Sequence, residues 1–136
     1  MAEDPQATSW LERFVRDHGG VAGTVHRRRG EVLELAAAHN IPEPVRRVTA
    51  IVPRGKGMAG LALERNEPVS TCNLKTDQSG DVRPGARAVD AQAAVALPVR
   101  DARGEVRAVV GIAFAGERDL EPAELTALLE AAAQLP

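Results

Sequence analysis

The residues best placed to do chemistry lie in Pro53-Arg54-Gly55-Lys56-Gly57-Met58-Ala59-Gly60-Leu61-Ala62-Leu63, a glycine-punctuated turn that runs into a helix. Pro53 restricts one backbone angle, while Gly55, Gly57 and Gly60 permit positive φ or close backbone approach. The first-turn amides of a helix have no intrahelical partner. Those of Gly57, Met58, Ala59 and Gly60, with Lys56 beside them, form a seat for a carboxylate, phosphate or carbonyl oxygen. The same spacing also suits a purely structural turn that packs a helix against a sheet. No Gly-Lys-Ser/Thr triplet closes the stretch, which excludes a P-loop.

Other chemically capable side chains form no constellation. The single cysteine, Cys72, excludes an internal disulfide and a Cys-Cys metal pair, and fits a reducing, cytoplasmic setting. It has no basic residue directly beside it to favour the thiolate, and reads as a core cysteine. His18, His26 and His39 follow no metal-ligand spacing, and Asp77, Asp81 and Asp90 lack the rhythm and bidentate glutamate of a calcium loop. No serine sits in a Gly-x-Ser-x-Gly elbow. The expectation is a non-catalytic protein with no metal and no cofactor.

Around the glycine turn the chain supplies alternating structural signals. A first helix within residues 1–20 opens either at Asp4-Pro5 or at Ser9 with Glu12, which has the form of a capping box. Its apolar stripe is Ala7, Trp10, Leu11, Phe14 and Val15, and Gly19-Gly20 ends it. Residues 21–26 and 32–39 read as strands of a hairpin, with the basic run His26-Arg27-Arg28-Arg29 at a solvated tip. In the second strand Leu33, Leu35 and Ala37 alternate with Glu34, Ala36 and Ala38, one face buried and the other partly wet. Residues 40–44 break the sheet, and residues 45–48 suit a short helical turn. Asn66-Glu67-Pro68 stops the central helix, and residues 69–74 begin another strand.

Residues 75–91 are polar and without a period, a pattern typical of binding loops and lids. Residues 92–100 and 106–115 are the strongest strands, joined by a turn at Asp101-Ala102-Arg103-Gly104 and apolar or small on both faces, which puts them at the sheet centre. The last helix, within residues 119–136, has Glu121 as cap, Pro122 at its first position and Glu124 closing the box. Leu125, Leu128, Leu129, Ala132 and Leu135 make its stripe. Trp10, Phe14, Leu125, Leu128 and Leu129 together also suit a homodimer interface through the terminal helices.

Composition bounds the rest. A chain of 136 residues with formal charge −2 is one domain able to bury a core without disulfides or metal. Acids and bases are interspersed and the only aromatics are Trp10, Phe14 and Phe114, so neither nucleic acid nor an anionic membrane is an expected partner. The acidic start Met1-Ala2-Glu3-Asp4 lacks a signal-peptide core, and no apolar run approaches bilayer length.

Three segments carry a family resemblance: residues 51–62 with Glu67-Pro68-Val69 after them, Ala96-Leu97-Pro98-Val99, and Gly104-Glu105-Val106 with residues 109–114. In this order they resemble a GAF domain over nearly the whole chain. The resemblance implies an α+β fold: a central antiparallel sheet of five to six strands, both terminal helices on one face, and a small-molecule pocket under the connections on the other. Cyclic-nucleotide binders of the family carry an Asn-Lys, Phe, Asp-Glu signature, which Asn73-Leu74-Lys75 breaks. Bilin binders need a thioether cysteine among aromatics. The free methionine-(R)-sulfoxide reductases use several cysteines, where this chain has one. The expected role is therefore a stand-alone regulatory module in signal transduction. Its effector is oriented by Arg54, Lys56 and the amides of residues 57–60, with Asn73, Thr76, Asp77 and Arg83 contributed by the loop. The alternatives are a degenerate domain that acts only by protein association, and a reductase.

Overall fold

A computed structural model describes residues 4–71 and 92–136. The first helix, α1 (Pro5–Asp17), starts at Asp4, whose carboxylate accepts from the amides of Gln6 and Ala7 with Pro5 in the first turn. Of the two starts open in the sequence, the Asp-Pro pair is used. Among the described residues six antiparallel strands follow: β1 (Ala22–Arg29), β2 (Val32–His39), β3 (Ile51–Pro53), β4 (Val69–Thr71), β5 (Ala93–Arg100) and β6 (Val106–Phe114), in the spatial order β3-β2-β1-β6-β5-β4. Among the described residues α2 (Glu43–Val48) and α3 (Gly57–Arg65) interrupt them, and α4 (Pro122–Ala132) follows β6. The edge strand β3 is three residues long, too short to show a period in sequence.

The two faces of the sheet carry different cores, because successive side chains of a strand point to opposite sides. Val95, Leu97, Val99, Val110, Ile112 and Phe114 pack with Leu11, Phe14 and Val15 of α1 and with Leu128 and Ala132 of α4. On the other face Ala96 and Val109 pack with Ala62 and Leu63 of α3. This is the two-sided burial that the apolar β5–β6 pair demanded. Phe14 and Leu128 lie inside this core, 4% exposed each, so neither is offered to a second chain; Trp10, Leu125 and Leu129 pack half-buried against it. The capping box of α4 is half made: Glu121 makes no side-chain cap bond, while the Glu124 carboxylate accepts from the Glu121 amide and also pairs with Arg118.

The basic run is not a hairpin tip. His26, Arg27, Arg28 and Arg29 all belong to β1, and the two-residue turn is Gly30-Glu31, with Gly30 at φ +63°. Arg27 points to the α1/α4 face, where its guanidinium bonds the Asp4 carboxylate and the Pro136 carbonyl, each at 2.9 Å. His26 points the other way and is 3% exposed. The expected alternation of β2 also fails at one place: Val25 pairs with Ala37 and His26 with Leu35, so Ala36 is an extra, bulged residue. Its carbonyl accepts the Asp4 amide at 2.8 Å, and Ala36 joins Ala37 in the α1 core.

Helix α3 is fixed at both ends. A Cβ on Gly60 would stand 2.4 Å from the Pro53 carbonyl oxygen, so only glycine lets the helix start lie against the preceding turn. At the other end Asn66 takes the left-handed conformation, φ 54°, and stops the helix; its side-chain and main-chain oxygens each accept from Arg100 at 2.6 Å. Replacing Gly60 by alanine is expected to destabilise the protein by about 1–3 kcal/mol, since backbone must shift to admit the methyl group. The matching change at Gly116, where a Cβ meets nothing within 4 Å, should stay within about 0.5 kcal/mol. Urea denaturation of the two variants measures both.

Candidate functional site

Between the sheet and the pair α2 and α3 lies a cavity of about 160 Å³. Its floor is made of small residues on the face away from the terminal helices: Ala22 and Thr24 of β1, Ala94 and Ala96 of β5, Gly111 and Ala113 of β6. Gly111 sits across from Thr24, and a Cβ there would come within 2.8 Å of the Thr24 hydroxyl. In sequence, small side chains on this face suit either room above the sheet or close helix packing, and close packing is the default. Here they leave room, although Ala93 is no part of it and packs on the opposite face.

The walls come from Ile41, from Val45, Val48 and Thr49 of α2 and its end, and from Val52 of β3. The start of α3 contributes Lys56, Gly57, Met58 and Ala59. The amides of residues 57–59 precede the first intrahelical bond, which runs from Gly60 N to Lys56 O, and the side chain of Lys56 at the N-cap makes no cap bond. Donors without helix partners thus belong to residues that border the cavity, and the helix dipole adds positive potential there. Lys56 makes no ion pair among the described residues, and no carboxylate is among the cavity's described lining residues.

Of the sequence-derived candidates, Lys56, Gly57, Met58 and Ala59 are brought together at this cavity. Arg54 and Gly60 are not. The Arg54 guanidinium lies 3.3 Å from Glu31 at the β1–β2 turn, and Gly60 is buried against the Pro53–Gly55 backbone. Cys72, Asn73, Thr76, Asp77 and Arg83 fall outside the described residues, as does the whole 75–91 segment. No cluster able to hold a metal occurs among the described residues. None of the described helices is long and apolar enough to cross a membrane.

One lining residue was missed in sequence. His26 reaches over the sheet so that Nε2 lies 2.8 Å from the carbonyl oxygen of Thr49, tying β1 to the end of α2. A carbonyl only accepts, so Nε2 carries the proton and Nδ1 is the bare acceptor. That Nδ1 is buried and has no hydrogen-bond partner among the described residues. An unsatisfied buried acceptor costs about 1–3 kcal/mol, which makes it an uncommon feature of a native interior. The signal available was strand alternation: with β1 extended through the arginines, His26 shares a face with Thr24 and Ala22.

Burial pushes the His26 imidazole below its ordinary range, and the bond to Thr49 opposes this only in part. The unfolded ring therefore holds its proton more tightly than the folded one. Stability from this group is complete above the unfolded pKa of about 6.5 and is lost as pH falls below it, with a slope of at most about 1.4 kcal/mol per pH unit. Thermal melts from pH 8 to 5 check this: the wild type should lose stability on the acid side more steeply than His26→Phe, and parallel profiles would contradict a buried neutral imidazole.

A family model described as GAF domain matches residues 6–135. The GAF domain of an Acinetobacter phosphoenolpyruvate-protein phosphotransferase superposes with TM-score 0.74 at 16% identity, covering 95% of this chain and 76% of that one. A type II free methionine-R-sulfoxide reductase from Thermoplasma acidophilum gives 0.71 at 17% identity, with 95% and 91% covered. NreA from Staphylococcus aureus, mutated in its nitrate binding site, gives 0.69 at 17% identity, with 87% and 91% covered. Among curated proteins no match is found. At these identities the solved structures establish the fold.

Proposed function

The chain belongs to the GAF domain family, and from that premise we propose that it is a non-catalytic regulatory domain whose cavity takes a small anionic effector. The observation that carries this reading is the start of α3, whose amides have no partner within the helix, with Lys56, beside a cavity whose described lining holds no acid. An anion there gains main-chain hydrogen bonds and the favourable end of the helix dipole while its carbon skeleton meets Ile41, Val45, Val52 and Met58. The nitrate binding site of NreA supports an anion in a domain of this shape. The GAF domain of a phosphotransferase among the neighbours supports a regulatory rather than catalytic role.

Output passes to a signalling partner in the cytoplasm through the layer of terminal helices on the far side of the sheet. Ordering of the α2 and α3 walls bears on β1, β5 and β6, whose opposite faces carry α1 and α4. Half-buried Trp10, Leu125 and Leu129 are among the apolar groups of that layer available to a partner or a second copy. The reductase alternative rests on Cys72 alone, since a sulfoxide reduced by one cysteine needs an external thiol to resolve the sulfenate.

Titration calorimetry with small monocarboxylates tests the anion site. Binding is expected in the micromolar to millimolar range, roughly what a ligand of this size achieves. Lys56→Gln should weaken it about three- to fivefold, as an exposed charge beside a helix start does. Ala94→Leu should abolish it by filling the floor while the melting temperature is retained. Unchanged affinity in Ala94→Leu would place the anion elsewhere.

A further inference from the structure

The α2 wall of the cavity is a short piece of chain, residues 41–49, strung between two anchored points. At one, Asn40 takes the left-handed conformation, φ 57°, and its side-chain amide donates to the Val21 carbonyl at 2.9 Å. At the other, the Ala50 carbonyl accepts from the Leu35 amide at 2.8 Å. Between them Val45 is the buried residue of α2, packed with Ala22 and Ala113, while Val48 is 53% exposed. The end of the helix is tied to the sheet by the bond from His26 Nε2 to the Thr49 carbonyl at 2.8 Å. A helix this short, with so little apolar surface buried, belongs to the least stable parts of a fold.

The position of His26 suits only a neutral ring. A second proton would go to Nδ1, which is buried and has no acceptor among the described residues, and a buried charge without a partner is strongly disfavoured. The charged groups of the surrounding elements add to that cost. Arg28 lies two residues along the same face of β1 and bonds the carbonyls of Gly30 and Val106. Lys56 borders the cavity, and Arg46 of α2 is half-buried. The acids of these elements are engaged elsewhere or face solvent: Glu43 pairs with Arg47, Glu31 with Arg28 and Arg54, and Glu64 of α3 is exposed. The neighbouring strands present Leu33, Leu35, Val52 and Val109 to this side, none of which can accept a proton.

We propose that His26 and α2 form an acid-operated latch, in which protonation of the ring releases residues 41–49 from the sheet as a local opening hinged at Asn40 and Ala50, while β1, β5 and β6 stay paired. Opening removes Ile41, Val45, Val48 and Thr49 from the cavity wall, so acid unroofs the cavity whatever occupies it. Burial holds the ring of the closed state below its ordinary range. The open state, with the ring in water, takes up its proton at about pH 6.5. The open fraction is therefore constant well above that pH and rises below it, by at most about tenfold per pH unit.

Native-state hydrogen exchange on the whole chain, read amide by amide between pH 7.5 and 5.5, tests the latch. The amides of Arg46 and Thr49 report the opening, since they donate to Pro42 O at 3.0 Å and Val45 O at 2.9 Å. After correction for the intrinsic pH dependence of exchange, their protection should fall about tenfold over this range. It should also be insensitive to low concentrations of urea, because a local opening exposes little surface, whereas amides of the β5–β6 ladder should be more protected and lose protection as urea rises. His26→Gln keeps a donor for Thr49 and does not titrate here, so its α2 profile should be flat. Should that variant fail to fold, the wild-type profiles at several urea concentrations decide. Flat protection of Arg46 and Thr49 in the wild type overturns the latch. Protection and urea dependence shared with β5 and β6 overturn it too, since the proton then couples to global unfolding alone. An equal fall in His26→Gln overturns the role of His26.

Discussion

The architecture depends on the close approach of α3 to the turn before it. Gly60 lies against the Pro53 carbonyl with no room for a methyl group, and Gly55 N closes the turn by donating to Gly60 O at 2.8 Å. This contact sets where the helix begins, and therefore where amides without partners in the helix occur. The Arg100–Asn66 bonds fix the far end, so α3 cannot slide along β5 and β6 without breaking them. A helix start held in that way, beside a floor of alanine and glycine, makes a concavity whose polar groups are main-chain donors positioned by the fold. Such donors cost no side-chain entropy to organise.

The opposite face does different work. There the sheet meets α1 and α4 through large side chains, among them Leu11, Val95, Leu97 and Ile112, each no more than 2% exposed. Dense packing of this kind transmits displacement instead of absorbing it. Small residues on one side and large ones on the other, along the same β5 and β6, divide the sheet into a face that holds space and a face that holds shape. Arg27 contributes to the second by bonding Asp4 and Pro136, which brings both ends of the described chain to one strand.

Much of this was legible in the sequence, because the strongest signals are local. Pro122 at a helix start, the turn at Asp101–Gly104 and the apolar run 108–114 of β6 each specify their element with little help from the rest of the chain. The glycine turn was legible for the same reason, and four of its residues border the cavity. What was not legible depends on register. The extra residue at Ala36 changes which β2 side chains share a face, and nothing in Leu-Ala-Ala-Ala marks it. His26 was read as the first member of a basic tip, whereas the strand continues through Arg29 and alternation sends His26 to the α2/α3 face and Arg27 to the α1/α4 face. Arg54 was drawn to Glu31 across the sheet edge, a pairing between residues far apart in sequence that only the β2–β3 register creates.

On the proposed reading, the amides of Gly57, Met58 and Ala59, which have no partner within the helix, anchor the ligand. Backbone ¹H–¹⁵N spectra recorded while a small carboxylate is titrated into the protein test it most directly. Amides of Gly57, Met58 and Ala59 should move first and furthest, with smaller changes at Thr24, Ala96 and Gly111 on the floor. Movement confined to α1 and α4, or no saturable movement at residues 57–59 with any small anion, would contradict it.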